Sequence, residues 1–183
     1  MDKPKKIALA LPSIDADATN YLTQVVNENW VTSGGPAVTK FEKQLREFLQ
    51  TKREVVALNS GTAALHLALK LAGVQSGDFV LCQTMSFVAS SNPIAYLGAI
   101  PVFIDSERST YNLAPENVEE AIEWCLKQNK KPAALVAVHS FGIPCQMKEI
   151  AKLCKGYDIP LIEDAAEALG SRYKEQPCGL FGD

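Results

Sequence analysis

Three short segments carry side chains whose types and spacing could do chemistry. In Asn59-Ser60-Gly61-Thr62-Ala63-Ala64-Leu65-His66, small residues separate an apolar run from a helical one. Unpaired N–H groups at such a helix start can hold a phosphate, and Ser60 or Thr62 adds a hydroxyl. The plainer role is a serine N-cap with a glycine easing the turn. The segment is neither G-x-G-x-x-G nor G-x-x-x-x-G-K-S/T, so dinucleotide and P-loop readings lack their motifs. In Thr84-Met85-Ser86-Phe87-Val88-Ala89-Ser90, Phe87 could present a ring to a flat ligand, although most such aromatics belong to cores. In Pro160-Leu161-Ile162-Glu163-Asp164, the aspartate ends a short apolar strand, at the edge where open α/β sheets bind ligands. An isolated Asp there otherwise caps a helix or turn. Asp105 and His139 also follow apolar runs and are expected to be a turn residue and a hydrogen-bonded structural histidine. His66, one turn into a helix, is expected to be structural as well.

The elements that must position these segments follow from periodicity. From residue 54 onward, short apolar runs alternate with longer helical ones, the pattern of βαβ units and a mostly parallel sheet. Strands are expected at Glu54 to Leu58, Phe79 to Gln83, Pro101 to Ile104, Ala133 to Val138 and Pro160 to Ile162, and helices at about 62–72, 87–97, 115–128 and 146–156. Pro115 with Glu116 and Glu119 opens the third helix, as free N–H groups and the macrodipole favour. Upstream, residues 1–14 read as an extended lead-in and Asp15 to Asn29 as a helix. Gly34, Gly35 and Pro36 break the pattern in a loop from Trp30, and Val38 to Leu49 returns to an amphipathic helix through Phe41, Leu45, Phe48 and Leu49. No linker or repeat splits the chain, so one domain is expected.

Composition narrows the partners. The 183 residues are 47% hydrophobic and 21% charged, with a net charge of −3, which offers no basic field for a nucleic acid backbone. Five scattered cysteines without a C-x-x-C pair suggest neither a disulfide framework nor a zinc site, and fit a reducing cytoplasm. The apolar stretch Ile7 to Leu11 is too short for a signal-peptide core, and nothing approaches the length of a membrane span.

A phosphate cradle at 60–63, a ring at Phe87 and a carboxylate at Asp164 on one sheet edge suit a phosphorylated heteroaromatic cofactor. Pyridoxal phosphate needs these three features: an anion site, a stacking partner and an acid beside its ring nitrogen, which keeps the ring an electron sink. The chain also resembles the DegT/DnrJ/EryC1/StrS family of sugar aminotransferases, within the fold-type I pyridoxal phosphate enzymes. The likeness runs through Asn29-Trp30-Val31-Thr32-Ser33-Gly34-Gly35-Pro36, Phe41-Glu42, Ser60-Gly61-Thr62-Ala63-Ala64-Leu65-His66-Leu67-Ala68-Leu69 and Gly98-Ala99-Ile100-Pro101-Val102-Phe103-Ile104-Asp105. It continues in Val138-His139-Ser140-Phe141-Gly142, Glu163-Asp164-Ala165-Ala166-Glu167-Ala168-Leu169-Gly170 and Gly179-Leu180-Phe181-Gly182-Asp183.

The resemblance implies a three-layer α/β/α architecture, with residues 1–183 forming the N-terminal portion of the large, cofactor-binding domain. It implies that Gly61, Thr62 and Ala63 bind the phosphate, that Phe87 stacks on the pyridine ring and that Asp164 pairs with its nitrogen. Glu167 falls where many members have Gln, beside the cofactor's 3-oxygen, so one proton is expected to be shared there. Thr32 and Ser33 fall in the segment near the substrate. The family's covalent lysine lies shortly after the Gly-Asp at which this chain stops, and Lys174 precedes that point. No catalytic residue is therefore expected within the chain, and it should not turn over alone. The implied reaction moves an amino group from an amino-acid donor to a nucleotide-linked keto-sugar, in a homodimer. The alternatives are a deoxysugar dehydratase of the same family, with histidine at the lysine position and a pyridoxamine cofactor, or a non-catalytic piece with a vestigial site.

Overall fold

The computed structural model describes residue 7 and residues 11–183. The lead-in expected over residues 1–14 thus lies largely outside the described residues. Contacts divide the chain into two units, one running through Phe48 and including Arg53–Ala57, the other made of Leu49–Lys52 and Leu58–Asp183.

In the first unit, α1 (Asp17–Asn27) and α2 (Pro36–Phe48) flank the glycine-rich loop. Pro36 opens α2, where its missing N–H is no loss. The Glu42 carboxylate accepts the Ala57 N–H at 2.8 Å, and Arg46 meets Glu54 at 3.3 Å. Thr32 and Ser33 sit exposed in the bend before α2. The strand expected at Glu54 to Leu58 does not form. A strand exists through its ladder partners, and among the described residues no ladder includes this stretch.

In the second unit, α3 (Gly61–Leu71), β1 (Phe79–Gln83), α4 (Asn92–Tyr96), β2 (Ile100–Ile104), α5 (Pro115–Lys127), β3 (Ala134–Val138), α6 (Met147–Tyr157) and β4 (Leu161–Asp164) follow in order. The helix expected over 87–97 splits into a 3₁₀ turn at Val88–Ser90 and the short α4. Pro93 causes the break: without an N–H it cannot continue a helix from upstream, but it fits the first turn of a new one. A two-stranded hairpin, β5 (Arg172–Tyr173) with β6 (Gln176–Pro177), follows β4.

The four strands form one parallel sheet in the order β2-β1-β3-β4. Their alternating residues fill two cores. Leu81, Ile104, Leu135, Ala137 and Leu161 pack with Val118, Ile122 and Ile150 of α5 and α6. Val80, Cys82, Ala134, Val136 and Val138 pack with Leu65, Leu69 and Ile94 of α3 and α4. Helices thus cover both faces, giving the expected three layers, and β3 is buried along its whole length as a central parallel strand requires.

Candidate functional site

The strand order fixes where a ligand site belongs. The chain leaves β1 for β2 on one side and then returns past β1 to β3 on the other, so the connections diverge between the carboxyl ends of β1 and β3. Open α/β sheets bind ligands in the crevice at such a switch point. A cleft of about 280 Å³ lies there, lined by Met85, Ser86 and Phe87 after β1, Ser140 and Phe141 after β3, and Glu167 after β4.

Gln83 holds the two diverging loops. Its Oε1 accepts the Val138 N–H at 3.2 Å, while its Nε2 donates to Met85 O at 2.7 Å and Ser140 Oγ at 2.9 Å. A fully buried amide is tolerated at the end of an apolar strand because both its ends are paired. On the cleft wall Phe87 and Phe141 are 79% and 67% exposed, a large apolar area that no side chain among the described residues covers. Phe141 has the left-handed φ of 56°, uncommon outside glycine, and its N–H donates to Glu167 Oε2 at 2.6 Å.

Asp164 ends β4 half-buried. Ser86 Oγ donates to Ser90 Oγ at 2.7 Å, which donates to Asp164 Oδ2 at 2.7 Å, and the Ala166 N–H reaches Oδ1 at 3.2 Å. These donors orient the carboxylate, and its remaining lone pairs can accept a further N–H. The neighbouring Glu163 points elsewhere, to His139 Nε2 at 3.0 Å and to backbone N–H groups of residues 179–182. Burial works to raise the Glu163 pKa, but the hydrogen bond from His139 and the N–H groups of Gly182 and Gly179 outweigh it, holding the carboxyl below the usual glutamate value. His139 is fully buried and hydrogen-bonded, the structural role expected of it.

At the start of α3, Ser60 accepts the Ala63 N–H on its Oγ at 3.2 Å, and its carbonyl accepts the Ala64 N–H. Capping therefore uses Ala63, and the N–H groups of Gly61 and Thr62 are the first-turn donors without a described acceptor. A Cβ added at Gly61 would meet no described atom within 4 Å, so a ligand can approach the backbone closely there. The structure thus joins Phe87 and Glu167 in one cleft and ties Asp164 to the 86–90 segment through Ser90. Residues 60–63 do not line that cleft but start a helix packed on β4, α4 and the 88–90 turn. Thr32 and Ser33 belong to the other unit.

Sequence reasoning missed Gln83, Ser90 and Phe141. A polar residue closing the run Phe79-Val80-Leu81-Cys82 was the available signal for Gln83; the other two depend on loop geometry. Burial pushes the thiols of Cys82, Cys145 and Cys154 up to about 12, so none offers a thiolate at neutral pH.

The chain carries a parallel α/β domain with an exposed aromatic ring and a hydrogen-bonded carboxylate near its switch point, the place where such sheets bind ligands. The chain belongs to the DegT/DnrJ/EryC1/StrS aminotransferase family, whose model matches residues 12–183. EpsN of Bacillus subtilis, provisionally assigned as a pyridoxal phosphate-dependent aminotransferase, is 45% identical over 97% of this chain and 46% of its own length. GDP-perosamine synthase of Escherichia coli O157:H7 is 36% identical over 98% of the chain and 47% of its own length. Among solved structures, the PLP form of Spr1654 from Streptococcus pneumoniae, provisionally a sugar aminotransferase, superposes with a TM-score of 0.85 at 30% identity, covering 98% of this chain and 47% of that one. The chain spans about half the length of the curated relatives it matches.

Proposed function

We propose that the protein is a pyridoxal phosphate-dependent transaminase that moves an amino group from an amino acid such as glutamate to a nucleotide-linked keto-sugar for polysaccharide or glycan synthesis. The observation that carries this reading is the Ser86–Ser90–Asp164 hydrogen-bond chain beside the exposed Phe87. It fits a carboxylate oriented to hold a ring N–H, with an aromatic face waiting for a flat partner. When bound, the cofactor supplies an electron-withdrawing ring that stabilises negative charge at the carbon bearing the amino group.

In this reading Asp164 holds the proton on the ring nitrogen, and Ser90 keeps Asp164 oriented. Phe87 covers one ring face and excludes water from it. Gly61 and Thr62 give their N–H groups to the phosphate, with Ala63 beside them as a small residue that leaves the approach open. Glu167, fixed by the Phe141 N–H, shares a proton with the 3-oxygen. Thr32 and Ser33 are proposed near the sugar, and the covalent lysine on a segment following residue 183. Five buried, unpaired cysteines suit a reducing compartment, and we place the protein in the cytoplasm. A homodimer is supported by exposed apolar side chains such as Leu71 and Tyr96.

The test incubates the whole protein with pyridoxal 5′-phosphate, glutamate and a nucleotide-linked keto-sugar and reads the sugar by mass spectrometry. A product that gains nitrogen supports transamination. Loss of water without nitrogen would mean a dehydratase instead. An unchanged sugar with an unchanged cofactor spectrum would leave a non-catalytic chain.

A further inference from the structure

Outside the cleft, one buried cluster is not used by the proposed chemistry. The His139 ring and the Glu163 carboxylate are 0% and 3% exposed and meet where three segments at the carboxyl end of the sheet converge. His139 Nδ1 accepts the Cys145 N–H at 3.1 Å, so that nitrogen carries no proton, and the ring donates through Nε2 to Glu163 Oε2 at 3.0 Å. Glu163 also accepts the N–H groups of Gly179 at 2.9 Å, Gly182 at 2.7 Å and Phe181. A buried carboxylate is tolerated only while its donors stay in place. This one therefore binds segment 179–182 and, through His139, loop 139–145 to the end of β4.

The same loop continues into the cleft. The Ser140 N–H donates to Asn112 Oδ1 at 3.1 Å, and Ser140 Oγ lies on the Gln83 amide. Phe141 follows in its left-handed conformation, with its N–H on Glu167. A strained backbone of this kind persists only where its surroundings over-determine it. His139 and Ser140 provide that restraint on one side, and the Phe141–Glu167 hydrogen bond provides it on the other.

We infer that Glu163 and His139 are positioning residues for the cleft: they fix the loop that presents Phe141 and its N–H to Glu167, without touching a ligand themselves. The geometry stands independently of the proposed function, which supplies only its purpose. Glu163→Gln puts an amide donor against N–H groups, whereas His139→Gln keeps a donor toward Glu163 but loses the acceptor for Cys145. Amide hydrogen exchange on the full chain reads both. Glu163→Gln should accelerate exchange at Gly179, Gly182 and Phe141 by about tenfold or more, with Leu81 and Val136 in the sheet unchanged. His139→Gln should accelerate Cys145 and Phe141 while Gly179 and Gly182 stay protected. In unsubstituted protein, ¹⁵N shifts of the His139 ring should show the proton on Nε2. An unmoved Phe141 amide in both variants, equal acceleration in the sheet, or a proton on Nδ1 would each overturn the inference. If Glu163→Gln does not fold, the Phe141 amide in His139→Gln decides alone. Titration of the unsubstituted protein with pyridoxal 5′-phosphate separates the two ideas: no binding alongside a responsive Phe141 amide removes the proposed function and leaves the positioning role standing.

Discussion

At Gly142 the backbone after β3 approaches the backbone of the loop after β4, and replacing it with alanine isolates the cost of holding them there. Its φ of +76° lies in the left-handed region, and a Cβ built on it would stand 2.9 Å from Glu167 O, a backbone atom that cannot rotate aside. Ser171 Oγ donates to Gly142 O at 2.7 Å, which also pins this residue. Two costs therefore add. The left-handed conformation costs an alanine about 1–2 kcal/mol, and forcing a methyl into a filled space typically costs about 1–3 kcal/mol more. Gly142→Ala should lower stability by about 2–5 kcal/mol, a large share of the roughly 5–15 kcal/mol that holds a domain together.

Gly73 supplies the control. Its φ of +87° imposes a similar backbone cost, but an added Cβ would meet no described atom within 4 Å. Gly73→Ala should therefore lose only the conformational part, about 1–2 kcal/mol. Urea denaturation of the two variants, with unchanged m values, measures the difference directly. A gap above about 1 kcal/mol assigns the excess to the Gly142–Glu167 approach. Equal losses would refute the steric argument and show that the 139–145 and 165–170 loops yield freely.

Three further outcomes are expected. Asp164→Asn should weaken pyridoxal 5′-phosphate binding by about tenfold or more, and Ser90→Ala should weaken it less, in absorbance titrations; an unchanged affinity in Asp164→Asn would remove that residue from the site. Because the Glu163 pKa is lowered in the folded protein, its stabilisation is complete above the unfolded value of about 4.3 and is lost as pH falls through the folded value, so stability measured from pH 6 downward should drop below about pH 4 and drop less in Glu163→Gln. Ile150→Ala, at a fully buried position between α6 and the sheet, should cost about 2–5 kcal/mol in denaturant unfolding without moving cofactor affinity.

The parts of the fold that the sequence made legible are those in which local pattern and tertiary environment agree. The apolar run Ala134-Leu135-Val136-Ala137-Val138 is a central strand because both of its faces are covered, and Pro115 opens α5 because its own geometry suits a first turn. Glu54 to Leu58 misled because its composition suits a strand, whereas a strand requires a neighbour and no local pattern supplies one. The 87–97 segment misled for the opposite reason: its apolar periodicity outweighed Pro93, which alone decides where helical hydrogen bonding can begin.

The candidate site divides along the same physical line. Ser60, Phe87 and Asp164 stand at strand ends or helix starts, places that a period-2 or period-3.6 pattern locates, so their positions were readable before any coordinates. Glu163 was not: beside Asp164 it looks like a second acid at a strand end, yet it is buried, and only donors 16 to 24 residues away make that burial tolerable. The side chains of Gln83 and Asn112 likewise depend on partners 55–57 and 28–31 residues distant for most of their hydrogen bonds. The network that sets the cleft's shape is therefore the least local feature of the chain. A residue that could act on a ligand is identified by where an element ends, while a residue that orients it is identified by the buried charge or amide that the fold must satisfy.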